Sequence, residues 1–386
     1  MAIRNQFFTP RYVVQFLTDN TLGRIWYEMR GGDTALKDRC EYLVHRSDEQ
    51  LPHRPKKDPR DIRILDPACG SGHFLLYSFD LLAAVYEEAY ADPDSPRCQA
   101  TGRNIAQDYP DPDSLRAAIP ALILAHNLHG VDIDPRCAQI AQLALWMRAQ
   151  RAYQDAGLPR GARPEIRRSN VVVAEPLIVD HALANEFEKT LTNDDLRNAF
   201  RELVNAMSLA GELGLLSRVE SLRATPLKDG YAGDLFVSSQ DRLQEALHRY
   251  ADADMTRINT RRRLFADDSA QGLGLIAIAT AKYDTILMNP PFGACTKRAR
   301  PEFEKAYPRA KNDIYAAFVE RAIELLAPRG RLGAITSRTA FFLSSFRVWR
   351  EEILLRKSPP VVFADLGRGV LDGAMVETAA YCLEAR

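Results

Sequence analysis

Short β-rich runs alternate with amphipathic helical patterns along most of this 386-residue chain. The run "IRILD" leads through a turn into "HFLLYSFDLLAAVYEEAY", and "NLHGVDID" leads into "PRCAQIAQLALWMRAQRAY" in the same way. The alternation returns at "YDTILMN", "NDIYAAFVERAIELLA", "RLGAITS" and "VVFADL". Strands that alternate with helices form a mostly parallel sheet with helices on both faces. We therefore predict an α/β fold with a doubly wound sheet, in which ligands lie at the carboxyl ends of the strands.

The composition allows a large buried core, because 46% of the residues are hydrophobic. The 51 basic and 51 acidic residues balance, so the overall charge indicates no polyanionic partner. The six cysteines lie far apart and form no CxxC pair, which favours a reducing compartment and no metal site. No run approaches the ~20 apolar residues of a membrane span, and the N-terminus lacks a signal-peptide pattern. We expect a cytoplasmic protein with no metal and no membrane partner.

Residues 178–275 interrupt the alternation with helical patterns such as "NDDLRNAFRELVNAM". We interpret this stretch as a helical insertion between a first α/β half, residues 1–177, and a second half, residues 276–386. The first half begins with a helix predicted from Thr9 to Trp26. Thr9 is its predicted N-cap and Pro10 its first helical residue.

The turn after the first predicted strand reads "LDPACGSGHF". Gly70 and Gly72 let the backbone turn tightly and approach a ligand closely, while Asp66 can anchor the turn or accept hydrogen bonds from a ligand. The spacing is not the GxGxxG of a dinucleotide site, and no Lys-Ser/Thr pair follows as in a phosphate loop. An ordinary glycine-rich turn is the structural alternative.

Acidic residues stand at the ends of the next two predicted strands. Asp132 in "HGVDIDP" could accept hydrogen bonds from a ribose diol, whereas Asp134 before Pro135 is the predicted cap of the following helix. Glu175 in "VVVAEPL" could accept from an adenine amine, although an acid before proline is also common turn chemistry.

The segment "NPPF" follows the apolar strand "YDTILM" and stops it at once, because proline has no backbone donor and a fixed φ. The amide of Asn289 and the carbonyl of Pro290 offer two rigidly placed acceptors, which suit a planar NH2 group. Phe292 offers a face for a stacked base. The alternative is a proline-stiffened loop with an incidental asparagine.

Basic residues cluster directly after this segment. We predict that they contact phosphates, with a solvated surface as the alternative. The cluster is Lys297, Arg298, Arg300, Lys305, Arg309 and Lys311.

Taken in order, these segments resemble the S-adenosylmethionine-dependent DNA adenine-N6 methyltransferases of the NPPF type. The order is "FFTP" (7–10), "DPACGSGHF" (66–74), "GVDIDP" (130–135), "AEPL" (174–177), "NPPF" (289–292), "NDIYAAF" (312–318) and "DLGRGVLDGAMVETAAY" (365–381). The first and last of these are most similar to the methylases of BREX phage-defence systems (PglX-like) and to large fused restriction-modification enzymes. The resemblance spans nearly the whole chain except the helical insertion.

The resemblance implies a Rossmann-like class I methyltransferase fold with a cofactor-binding first half and a catalytic second half. The implied S-adenosylmethionine-binding residues are Thr9, Asp66, Ala68, Cys69, Gly70, Gly72, Asp132, Ile133, Glu175 and Pro176. The implied catalytic residues, which take the target adenine, are Asn289, Pro290, Pro291 and Phe292. Where many relatives carry a second stacking aromatic, this chain has Leu371.

The implied activity is methyl transfer from S-adenosylmethionine to the N6 amine of a flipped adenine in DNA, in restriction-modification or phage defence. Double-stranded DNA is the expected partner, together with a separate specificity or defence-system subunit, because relatives continue into a target-recognition domain that we do not find here. The alternatives are methylation of RNA adenine or of a protein glutamine amide, and a DNA-binding assembly subunit with little activity.

Overall fold

The computed structural model describes residues 8–46, 48–166, 169–175, 181–191, 194–218, 246, 249–250, 272–371 and 376–386. Within these residues the strands form a seven-stranded sheet in the order β3-β2-β1-β4-β5-β7-β6. β1 is parallel to both β2 and β4, and β4 is parallel to β5. β7 runs antiparallel to both β5 and β6. The strands are β1 Ile64–Asp66, β2 Leu128–Asp132, β3 Asn170–Val173, β4 Tyr283–Met288, β5 Leu326–Ser337, β6 Pro360–Gly367 and β7 Thr378–Glu384. The predicted doubly wound, mostly parallel sheet is confirmed.

Helices connect the strands, as the alternating pattern predicts. They are α1 Arg11–Thr18, α2 Arg24–Met29, α3 Leu36–Arg39, α4 His73–Ala91, α5 Ile105–Asp108, α6 Pro112–Leu122, α7 Pro135–Asp155, α8 His181–Thr190, α9 Asp194–Ala206, α10 Ala210–Leu213, α11 272–280, α12 Arg300–Ala306, α13 Ile314–Leu325, α14 Thr339–Phe342 and α15 Arg347–Trp349. Short 3-10 turns lie at Pro59–Asp61, Arg160–Ala162, Met207–Leu209, Gly214–Ser217 and Ser344–Phe346. π-helical turns lie at Asp19–Gly23, Ile123–Asn127 and Arg350–Leu355. Among the described residues, none of the helices combines the length and the apolar character needed to cross a membrane.

The first predicted helix is present, but its start and its middle differ from the prediction. The N-cap residue is Pro10 rather than Thr9, and no side chain caps this end. A π-helical turn from Asp19 to Gly23 separates α1 from α2. A 3-10 turn, the short α15 and a π-helical turn likewise follow one another from Ser344 to Leu355.

A bulge with a turn at Gly330 interrupts β5. Tyr283 of β4 pairs with Leu326 of β5, and Thr285 pairs with Arg331. Between these two pairs β4 advances by two residues and β5 by five, so β5 holds three extra residues. A side chain at Gly330 would place its Cβ 2.9 Å from the carbonyl oxygens of both Ala327 and Tyr283. The turn therefore requires glycine at this position, and strand pairing resumes directly after it.

A buried carboxylate joins the N-terminal helices to the sheet. Glu28 of α2 is 3% exposed and accepts hydrogen bonds from Arg24 Nε (2.9 Å), Arg54 Nε (2.9 Å) and Arg331 Nη2 (2.8 Å). Burial alone would raise the pKa of Glu28, but Arg331, Arg24 and Arg54 outweigh it and lower the pKa below its usual value. Since Arg331 lies in β5, this charge cluster fixes α2 against the sheet.

The chain divides into two compact units. The first comprises Met1–Val171, Lys282–Ala294 and Tyr307–Arg386, and the second comprises Val172–Ala281 and Cys295–Ala306. The described part of the second unit is mainly helical, and its buried Phe187 ring lies 5.0 Å from Phe200 and 5.4 Å from Tyr250. The helical insertion at 178–275 stays a prediction, since part of it lies outside the described residues.

Candidate active site

The turn between β1 and α4 forms one wall of the site. Gly70 and Gly72 both have positive φ, 52° and 85°, and Gly72 is the N-cap residue of α4. A Cβ at Gly72 would lie 3.1 Å from the Cβ of Ala141, whereas a Cβ at Gly70 would meet nothing within 4 Å. Gly72 therefore allows close helix packing, while Gly70 turns the backbone beside open space that a ligand can enter.

Asp132 ties the end of β2 to this glycine turn. Its Oδ2 accepts from the Gly70 N–H at 2.8 Å, and its Oδ1 accepts from the Asp134 N–H at 2.8 Å. The Cys69 N–H also donates to the Val131 carbonyl at 2.9 Å, so the two loops are joined twice. Ile133 follows directly in the same loop, and Asp134 caps α7 by accepting from the Arg136 N–H, which confirms its predicted role.

Two buried carboxyl groups lie side by side at these strand ends. Asp66 is 1% exposed and accepts from the Ala68 N–H at 3.2 Å; burial, with the charge of Asp132, holds its pKa well above the usual value. Burial also raises the pKa of Asp132. A ligand that brings hydroxyl donors and positive charge would favour the ionised form of both carboxyls.

Asn289 at the end of β4 is oriented by Thr9. The Asn289 Nδ2 donates to Thr9 Oγ1 at 3.0 Å, across 280 positions of sequence. The neighbouring Phe8 packs its ring edge-on against His73 of the glycine turn, with ring centroids 5.2 Å apart. Residues 8 and 9 therefore contact both the turn after β1 and the asparagine after β4, which corrects the expectation that Thr9 serves as a helix cap.

The rest of the "NPPF" segment packs against the start of α13. Pro290 and Phe292 are buried, Pro291 is half-buried, and the Phe292 ring centroid lies 5.9 Å from that of Tyr315. Since Phe292 is only 9% exposed, most of its ring packs against protein, and a base could meet only the remaining face.

Asp313 fixes the loop after Phe292, a role that sequence reasoning missed. Its Oδ1 accepts from the Gly293 N–H at 2.7 Å, and the Ile314 N–H donates back to the Gly293 carbonyl at 2.9 Å. Burial raises the pKa of Asp313 to about 6. The available signal was an aspartate directly before a helical pattern, which predicts an N-cap, and Asp313 does cap α13.

The remaining predicted residues are Glu175, Pro176 and Leu371. Glu175 is exposed two residues after β3 and belongs to the second compact unit, while Pro176 lies outside the described residues. Leu371, at the position of the expected second aromatic, is 2% exposed and thus buried.

The basic cluster after "NPPF" is partly paired with acidic side chains. Arg298 lies 3.3 Å from Glu212, and Arg309 contacts both Glu320 and Glu352, at 3.1 Å and 2.5 Å. Arg300 lies 4.0 Å from Glu304. These pairs reduce the positive charge that three of the six basic residues can offer to phosphates.

A sheet in this strand order, with a glycine turn after β1 and a carboxylate at the end of β2, defines a class I S-adenosylmethionine-dependent methyltransferase. The comparisons with known proteins give the family. The chain belongs to the Eco57I restriction-modification methylase family, whose model matches residues 126–364. The model of the MmeI DNA-methyltransferase domain also matches, over residues 47–185.

Two curated relatives align with nearly all of this chain. The adenine-specific methyltransferase BrxX of Escherichia coli O9:H4 (strain HS) is 28% identical over 409 residues, which covers 98% of this chain and 30% of that protein. The adenine-specific methyltransferase PglX of Lacticaseibacillus casei (strain Zhang) is 25% identical over 417 residues, covering 98% of this chain and 29% of that protein. The chain thus spans less than a third of the length of these relatives.

The chain is also similar to solved structures at low sequence identity. One is the ATP-dependent Type ISP restriction-modification enzyme LlaBIII bound to DNA, with a TM-score of 0.46 and 14% identity, covering 98% of this chain and 19% of that one.

S-adenosylmethionine is the methyl donor of this class, and the residues present fit it. The fit rests on the open space beside Gly70 and on the buried carboxyls of Asp66 and Asp132. A ribose diol, an ammonium and a sulfonium are the kinds of group that two such carboxyls stabilise.

Proposed function

We propose that this chain transfers a methyl group from S-adenosylmethionine to the N6 amine of an adenine that has been extruded from duplex DNA. The observation that carries the proposal is the hydrogen bond from Asn289 to Thr9, which fixes the amide at the carboxyl edge of the sheet. With its nitrogen side directed to Thr9, the amide presents its oxygen as the acceptor for a substrate NH2 group.

The reaction requires correct positioning of the amine and the methyl donor, and it requires no covalent nucleophile. The bound cofactor supplies an activated methyl group on a sulfonium. The exocyclic amine of adenine is a poor nucleophile, because its lone pair is delocalised into the ring. Hydrogen bonds from the amine to the Asn289 oxygen and the Pro290 carbonyl favour a pyramidal nitrogen and stabilise the positive charge that develops on it.

The rigid segment after β4 supplies the geometry for these two acceptors. Pro290 and Pro291 have fixed φ angles, and Asp313 holds Gly293 at the other end of the segment. Extruding a base costs a few kcal/mol, of which stacking on Phe292 offsets roughly 1–3 kcal/mol.

DNA as the substrate is supported by the family and by the relatives. The two curated relatives are named as adenine-specific methyltransferases, and the matched family models describe restriction-modification and DNA methylases. We infer a role in restriction-modification or phage defence, in the cytoplasm where the chromosome is accessible. Double-stranded DNA and a separate specificity or defence-system subunit are the proposed partners.

The test separates chemistry from cofactor binding. Asn289→Ala should abolish tritium transfer from labelled S-adenosylmethionine to DNA, because Asn289 contacts the amine that accepts the methyl group. Calorimetry should find cofactor affinity within about threefold of wild type. Asn104→Ala, which removes the cap of the short helix α5, is the matched control and should leave transfer unchanged. An equal loss of cofactor affinity and transfer would contradict the role of Asn289.

The same assay decides between substrates. RNA and protein incubated in parallel with DNA should take up no label, because the proposed acceptor is adenine in a duplex. Label in RNA or in a glutamine side chain would replace the proposed substrate, and no label in any of the three would favour an assembly subunit.

A further inference from the structure

The segment after β5 exposes two large apolar side chains at the same edge of the sheet as Asn289. Phe342 is 64% exposed and Leu343 is 49% exposed, although each side chain would be more stable in contact with other apolar groups. Met288 pairs with Ala334, so the end of β5 at Ser337 lies beyond the end of β4. The polypeptide therefore turns back at 338–346 beside the segment that carries Asn289.

Side-chain contacts connect this turn to the catalytic segment. The Phe292 ring packs against Tyr315, and the Tyr315 hydroxyl lies 3.2 Å from the Thr339 hydroxyl. Tyr315 also stacks on Phe346, with centroids 6.1 Å apart. Tyr315 thus contacts both Phe292 and the start of the short helix α14, whose last residue is Phe342.

Two arginines hold the exposed pair in place. Arg350 Nη1 donates to the carbonyls of Ala340 and Leu343, at 2.7 Å each. The Arg338 guanidinium lies 5.6 Å from the Phe342 ring centroid, and Arg338 is itself paired with Asp365 of β6 and with Glu377, which directly precedes β7. The turn is therefore braced so that the ring points outward rather than into the core.

We propose that Phe342, with Leu343 beside it, is an apolar wedge that enters the base stack of duplex DNA at the position that the extruded adenine leaves. The proposal rests on the proposed function, since it assumes that the target base lies in a duplex. Extrusion leaves an apolar gap between the neighbouring base pairs, and an inserted aromatic or aliphatic side chain restores stacking contacts there. The wedge is a positioning element and contacts no reacting atom.

The test uses the protein purified from its native host with any bound partners. Sequencing of modified bases in host DNA first gives the methylated site. Two duplexes are then compared, one with the target adenine opposite thymine and one with it opposite an abasic position, where extrusion is easier. The variants are Phe342→Ala, the conservative Phe342→Trp, and the control Leu355→Ala, whose side chain is 58% exposed at the far end of the following helical segment.

We expect Phe342→Ala to lose roughly tenfold or more of the initial rate on the paired duplex and to recover most of that loss on the abasic duplex. Phe342→Trp should stay near wild type on both, as should Leu355→Ala. Equal rates for Phe342→Ala and wild type on the paired duplex would overturn the wedge. An equal loss of rate on both duplexes would also overturn it. So would the loss of a co-purifying protein from Phe342→Ala with unchanged rates. No transfer to DNA by the wild type would overturn the proposed function itself, so the two failures are distinguishable.

Discussion

Replacing Asp313 with asparagine removes one negative charge from a half-buried position and keeps an acceptor for the Gly293 N–H. In the folded protein, burial raises the pKa of Asp313 to about 6, while the backbone N–H groups of Gly293, Tyr315 and Ile314 oppose the rise. In the unfolded chain the pKa returns to about 3.9. The folded state therefore holds the proton more tightly than the unfolded state.

The sign of the effect on stability follows from this difference. The contribution of Asp313 to stability is fully present below the unfolded pKa and is lost as the pH rises through the folded pKa. Between pH 5 and pH 7.5, the free energy of unfolding of the wild type should fall by about 1.4 kcal/mol because of this one group. The asparagine variant has no such titration. The difference in unfolding free energy, variant minus wild type, should therefore rise by about 1.4 kcal/mol over the same range.

Urea unfolding followed by circular dichroism at several pH values from 5 to 7.5 measures this difference. Asn104→Ala is the control, because Asn104 is the N-cap residue of α5 and carries no titratable group. Its pH profile should run parallel to that of the wild type. If the profiles of Asp313→Asn and wild type are also parallel, the inference that Asp313 titrates near pH 6 in the folded protein is wrong.

Three further predictions concern other contacts of the structure. Thr9→Val removes the acceptor of the Asn289 amide and should lower the methyl-transfer rate about tenfold, whereas Thr9→Ser should stay near wild type; equal rates for both would refute the orienting role. Asp132→Ala should weaken S-adenosylmethionine binding about tenfold or more by calorimetry, with a smaller change in the methyl-transfer rate at saturating cofactor. Unchanged affinity would contradict the role of Asp132 in cofactor binding. Glu28→Ala takes a shared carboxylate from the buried Arg54 and Arg331 and the half-buried Arg24, and should lower the free energy of unfolding by about 3–5 kcal/mol, against less than about 1 kcal/mol for the exposed Glu87→Ala. A loss at Glu28 as small as that at Glu87 would mean that the cluster does not stabilise the fold.

The sheet and the order of its motifs could be predicted from the sequence because both are local patterns. A β-rich run followed by a glycine turn and an apolar helical face identifies β1 and α4 without knowledge of the rest of the chain. The cap at Asp134 was predictable for the same reason, since an aspartate before proline acts on the next few residues.

The contacts that orient the site were not predictable in this way. Thr9 resembles a helix cap in its local sequence, but its hydroxyl accepts from Asn289, which is 280 residues away. The same holds for Gly293 and Asp313, whose hydrogen bond closes a loop of 20 residues. The π-helical turn at Asp19–Gly23 also depends on tertiary packing, since every residue in it is buried.

The bond between Thr9 and Asn289 also has a consequence for synthesis of the protein. Thr9 leaves the ribosome 280 residues before Asn289, whose amide it orients. At a synthesis rate of 5–20 residues per second, this interval is roughly 15–60 s. During that time the glycine turn and the Asp132 loop are already made. A nascent chain can therefore form the hydrogen bond between these two loops before it contains Asn289.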